Sequence, residues 1–182
     1  MFTVSYNFSQ KHKDGKGFTL IELLSVVAII IVLTAVSSPF LGAMYARYQA
    51  ESAGDHILAS LNFCRIESFK RSENIICQIN TNTDTNRIVS KVILDSNDNG
   101  IFDQASDTLV SSSTMTGTSF LALQPTNLEL VFNKRGISNI TTTQVLKLCA
   151  GLTNSLRHLY SIRVDINGRA IIEAGDNNAC TT

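Results

Sequence analysis

The chain has 182 residues and 19.9 kDa, and its 15 Lys+Arg against 15 Asp+Glu leave zero net charge, which excludes a polycation directed as a whole at nucleic acid. Hydrophobic residues at 44% and charged residues at 16% exclude a disordered chain, and ten glycines with two prolines exclude a collagen-like or linker-like one. Function therefore has to be sought in where particular residues sit.

The first element is apolar. Lys11, Lys13 and Lys16, against Asp14, precede 24 residues without a charge, Leu23 to Ala46. A helix rises about 1.5 Å per residue, so roughly 20 residues cross a ~30 Å hydrocarbon core. The basic flank predicts a cytoplasmic N-terminus and an exported C-terminal part. A secretory signal would need a small-x-small cleavage site, for which Ala35-Val36-Ser37 is passable, and a signal anchor would stay uncleaved. Neither accounts for Glu22, a carboxylate inside the apolar zone, where insertion costs about 2.5–3.5 kcal/mol without a partner. Cleavage after Gly17 supplies that partner, the α-amine of Phe18, one helical turn from Glu22.

The run Gly17-Phe18-Thr19-Leu20-Ile21-Glu22-Leu23-Leu24 resembles the processing motif of type IV pilins and type II secretion pseudopilins. The resemblance implies cleavage after Gly17 by a prepilin peptidase, methylation of the Phe18 amine and an assembly role for Glu22. It also implies an inner-membrane subunit with a periplasmic domain, whose partners are other pilin or pseudopilin subunits, the peptidase and an inner-membrane assembly platform. Pro39 falls where pilins commonly carry a proline that loosens the helix. The expected organisation is a leader over residues 1–17, a transmembrane and polymerisation helix over 18–46, and a globular domain over 47–182.

Beyond Pro39 the helical period continues. Ala50, Ala53, Ile57, Leu61, Cys64 and Ser68 recur at three and four residues, which predicts one helix from about Phe18 to Arg71 with its second half packed under a domain. After Ser72 the period becomes two. Ile75, Cys77 and Ile79 alternate, and strands are predicted over 87–94, 128–132, 145–149, 160–166 and 170–173, with Asn167-Gly168 as a hairpin turn. Ser111, Ser112, Ser113, Thr114, Thr116 and Thr118 are predicted to form an exposed loop. A helix followed by strands predicts an α+β fold, with the helix covering one face of an antiparallel sheet. The chain is similar, more narrowly, to the GspH/FimT group of minor pseudopilins and pilins. That similarity rests on Glu67-Ser68-Phe69-Lys70-Arg71, the hairpin at 95–103, the turn Phe132-Asn133-Lys134-Arg135-Gly136 and Gly168-Arg169.

Chemistry-bearing motifs are sparse. His12, His56 and His158 have no His or Cys at ligand spacing, and HExxH, GxSxG, Walker A and GxGxxG are absent, so the expectation is a structural subunit rather than an enzyme. An exported domain with four cysteines predicts two bridges out of three pairings. Cys64 with Cys77 suits a chain reversal and Cys149 with Cys180 would tie down the tail, while a free Cys64 on the core face is the alternative. Residues 130–169 hold Lys134, Arg135, Lys147, Arg157, Arg163 and Arg169 against Asp165, a net +5 that offers phosphate a binding face. FimT-like minor pilins associate DNA binding with Gly-Arg-x-Arg, and Gly168-Arg169-Ala170-Ile171 keeps the first arginine without the second, so DNA gripped through Arg163 and Arg169 is the alternative function. Finally, Asp95, Asn97 and Asn99 before Gly100, with the Ile101 carbonyl and Asp103, match the opening of a calcium loop, although Ser106 stands where a bidentate Glu belongs. A plain Asn/Asp/Gly turn is the competing reading.

Overall fold

The computed structural model describes residues 18–82, 86–117, 120–151, 157–176 and 178–180. Its first element is a helix, α1 (Leu20–Arg71). Thr19 caps it, accepting the Glu22 N–H on Oγ1 at 3.3 Å, so that Thr19-x-x-Glu22 reads as a capping box with Glu22 at the positive end of the helix dipole. The far end carries Lys70 and Arg71 in its last turn, and Ser72, at φ 56°, breaks it in the left-handed region.

The chain divides into two compact units, Met1–Pro39 and Phe40–Thr182. In the first, Leu20–Ser37 has mean hydropathy 2.7 and no part of it is buried, unlike the core helix of a water-soluble domain. Its hydroxyls turn back onto the helix: Ser25 donates to the Glu22 carbonyl at 2.8 Å, Thr34 to Ile30 at 3.0 Å and Ser37 to Leu33 at 2.8 Å. Every polar donor so placed is satisfied without water, as a hydrocarbon surround requires.

The second unit is antiparallel. The strands are β1 (Ile75–Asn82), β2 (Arg87–Leu94), β3 (Thr108–Thr116), β4 (Phe120–Gln124), β5 (Asn127–Phe132), β6 (Gln144–Gly151), β7 (Arg157–Val164) and β8 (Ala170–Ala174). They form two four-stranded sheets, ordered β3-β2-β1-β5 and β4-β6-β7-β8, and every pairing is antiparallel. The fold is α+β. One core joins Ala50, Ala53, Ile57, Leu61 and Cys64 of α1 to Ile75, Cys77 and Ile79 of β1 and to Leu146, Leu148 and Ile162 of the second sheet. The period-four stripe of the helix and the period-two faces of the strands thus close on each other.

Two expectations are corrected. There are two sheets, not one, because the short β4 pairs with β6 rather than with its neighbours in sequence. The hydroxyl-rich segment is not a loop: residues 111–116 lie in β3, paired to β2 from Arg87↔Thr116 to Leu94↔Thr108. An edge strand needs few apolar residues, and β-branched threonine suits an exposed, pleated surface. Thr118 lies outside the described residues. The second unit begins at Phe40, and Ala46 is 4% exposed in its core.

Candidate functional site

Four groups of residues carry candidate function. The first is the N-terminal motif. Gly17 lies outside the described residues. Phe18 precedes the helix cap with 84% of its surface exposed, and Glu22 stands in the first turn, the only acidic residue there. The cap stands at Thr19 and the helix begins at Leu20.

The second group is the 95–107 connection between β2 and β3. Asp95 is 2% exposed and accepts two backbone N–H bonds, from Asn99 at 3.2 Å and from Gly100 at 2.8 Å. Gly100 turns at φ 72°. Asn97 accepts from Asn99 at 3.1 Å, Asn99 from Ile101 at 2.7 Å and Asp103 from Ala105 at 3.0 Å. Each side chain nominated for calcium thus accepts an amide of the loop itself. Among the described residues, no three His, Cys, Asp or Glu side chains are grouped to hold a metal. The loop has a packing role as well: Phe102 covers Ile76, Ile93 and Val131 on the face of the first sheet turned away from the main core.

The third group is the basic tract. Lys134 pairs with Asp98 at 3.4 Å, and Arg163 pairs with Glu173 at 2.8 Å across β7 and β8. Arg163 and Arg169 do line one shallow cleft, together with Asp165 and Ile171. The turn below them is built by Asp165, which accepts the N–H groups of Asn167 at 2.9 Å and Arg169 at 2.8 Å, and by Gly168 at φ 74°.

The fourth group is the cysteines and the tail. Cys64 is bonded to Cys77, with Cα atoms 6.0 Å apart, and Cys149 to Cys180, at 6.3 Å. Further links hold the tail to β7. Asn178 accepts the His158 N–H at 2.9 Å, Leu159 accepts the Gly175 N–H at 2.7 Å, and Ala179 bridges Arg157. A chain of side-chain bonds runs alongside, from Ser161 Oγ to His158 Nε2 at 2.8 Å and from His158 Nδ1 to Asp176 Oδ1 at 2.7 Å. Sequence spacing gave no hint of this grouping, since positions 158 and 161 of a regular strand face opposite ways. The register shift opposite Leu148 and Cys149 inserts one extra residue in β7 and brings both to one face. His158 is buried, and its bond holds the Asp176 carboxyl down at about 2. Serine, histidine and aspartate in this order resemble a nucleophilic relay, but such chemistry also needs N–H groups aimed at an oxyanion. The neighbouring N–H groups of His158 and Gly175 are engaged with the tail and with Leu159. The arrangement works as a strap.

Comparison with known proteins places residues 13–38 in the family described as the prokaryotic N-terminal methylation motif. Two crystal forms of the type IV minor pilin FimU of Pseudomonas aeruginosa are similar in structure. One is 17% identical, covers 72% of this chain and 98% of that one, and has a TM-score of 0.46. The other is 16% identical, with 75% and 96% covered and a TM-score of 0.44. At these identities and scores the likeness assigns no function.

Proposed function

We propose that this chain, which carries the prokaryotic N-terminal methylation motif over residues 13–38, is a structural subunit of the type IV pilin and pseudopilin superfamily. It is anchored in the inner membrane by the apolar part of α1, carries its β-sheet unit in the periplasm and polymerises through the apolar helix. The observation that carries the reading is the conjunction of that motif with an entirely exposed 18-residue apolar segment that opens a helix running on into a disulfide-bonded domain. An exposed apolar surface of this size has no stable place in water, and lipid or the helices of other subunits are what can cover it.

In this reading a prepilin peptidase cuts after Gly17, the Phe18 amine is methylated, and an assembly platform draws the subunit into a fibre. Glu22 offers its carboxylate to the amine of a neighbouring subunit in a medium of low dielectric, where a lone charge is unfavourable. Membership of the GspH/FimT group, and service in a secretion pseudopilus or a pilus as a minor subunit, belong to the same proposal. The test is intact-mass analysis of the protein from a host with the assembly machinery. It should begin at N-methylated Phe18, and Glu22→Ala should be inserted and cleaved yet absent from sheared fibres. An uncleaved chain, or normal recovery of the variant in fibres, refutes the proposal.

A sheet face that grips DNA has less support. Two cations of the basic tract face carboxylates, and Arg169 shares its cleft with Asp165. A duplex-DNA mobility shift that is lost on raising salt, and lost with Arg169→Ala, would restore it.

A further inference from the structure

Within the soluble unit, α1 and the second sheet enclose a cleft of about 260 Å³. Its floor is apolar, made by Ala43 and Ala46 of the helix, Ala150 of β6 and Leu159 of β7, and its charged groups are Arg47 and Arg157. Among the described residues no carboxylate lines it. The small side chains on the helix leave the space, and the neighbouring Tyr160 favours the charged form of Arg47. Glu51, one turn along, acts on Arg47 through its charge but lies outside the lining. Neither arginine belongs to an ion pair among the described residues.

We propose that this cleft is a phosphate-binding site and that the phosphate is that of a phospholipid headgroup. Two guanidinium groups present forked donors whose geometry and charge match a phosphate better than a single carboxylate. A floor of alanine and leucine beside them suits a phosphate attached to hydrocarbon more than a free ion. The chain position agrees: Arg47 is the first charge after the apolar segment Leu20–Ser37 on the same helix, and Tyr45 and Tyr48 flank it, both exposed, as aromatic residues do at a membrane interface. A bound headgroup would hold the domain in one orientation at the bilayer surface until the subunit is withdrawn into a fibre.

The lipid source rests on the membrane-anchored reading, whereas the phosphate site does not, so the test has separate arms. Full-length protein in neutral maltoside detergent is offered dioleoylphosphatidylglycerol, dioleoylglycerol without phosphate, or inorganic phosphate. Adducts are read by native mass spectrometry and melting temperature by scanning fluorimetry. Phosphatidylglycerol should be retained and dioleoylglycerol not, millimolar phosphate should raise the melting temperature, and Arg47→Gln with Arg157→Gln should weaken both effects at least tenfold. The unliganded melting temperature and both disulfides check that the variant folds, and Arg157→Gln alone serves if it does not. A phosphate effect without lipid retention keeps the site and overturns its lipid source, as does a duplex-DNA shift that depends on the same two arginines. Equal retention of both lipids, or effects unchanged in the variants, overturns the site itself.

Discussion

Replacing Cys180 by serine tests how the tail is held. The Cys149–Cys180 bridge closes a loop of 31 residues, and removing such a constraint frees unfolded-chain entropy worth about 3.7 kcal/mol in the chain-entropy treatment. Cys180 is only partly buried and outside the core, so the substitution opens no core cavity, and the buried Cys149 is left as a small apolar thiol. The Ala179 bridge, the Asn178 bond and the His158–Asp176 pair remain, and they preserve part of the order in the variant's native state. The expected loss is therefore about 2–4 kcal/mol, or roughly 5–15 °C in Tm for a chain of this size. Urea unfolding of the full chain in neutral detergent, with wild type and variant under identical oxidising conditions, measures it. A loss below about 1 kcal/mol would show that the hydrogen-bonded strap alone secures the tail and that the entropy argument fails here. Non-reducing peptide mapping that pairs Cys149 with another cysteine would refute the geometry outright.

Gly168→Ala should destabilise by about 2–4 kcal/mol in the same assay, since a Cβ at φ 74° would stand 2.7 Å from Phe132 Cε1 and 3.2 Å from the Gly136 carbonyl; a loss under 1 kcal/mol would mean that the turn relaxes freely. His56 bonds Ser113 through Nε2 at 3.0 Å while Nδ1 is buried with no partner among the described residues, and burial lowers its pKa. The unfolded chain then takes up the proton first, so stability is full above about pH 6.5 and falls as pH drops below it. His56→Gln should flatten the Tm profile between pH 7 and 5, and an unchanged slope argues against the assignment. Asp95→Ala removes the acceptor of two loop amides and should lower stability by about 2–3 kcal/mol without any ion present. A calcium-dependent rise in Tm that wild type shows and this variant lacks would assign an ion to the loop.

Much of the fold was legible because its periods were clean. Ala50 through Ser68 kept one face of a helix, and Ile75, Cys77 and Ile79 one face of a strand, and these are core positions. β3 was missed because a largely exposed edge strand, with only Val110 and Met115 packed on the core, carries the hydroxyl-rich composition of a loop. β4 was missed because five residues are too few to display a period. Ile76, Ile93 and Val131 lie on the face that alternation assigns to solvent, and Phe102 covers them from a loop that composition marks only as a turn. The N-terminal motif was readable from local order alone. The Ser161–His158–Asp176 strap and the Arg47–Arg157 cleft were not, since a strand bulge makes the one and pieces 110 residues apart in the chain make the other.

The two disulfides join the first cysteine to the second and the third to the fourth. For a chain that crosses a membrane from its N-terminus outward, this order has a consequence for export. On the proposed export route Cys64 and Cys77 would reach the compartment before Cys149 and Cys180, and could pair with no other cysteine present. Interleaved pairings would leave thiols waiting in the oxidising compartment and would call on an isomerase to undo wrong bonds, a reshuffling that takes seconds to hours. On the proposed periplasmic placement, N-to-C translocation would favour this one of the three connectivities.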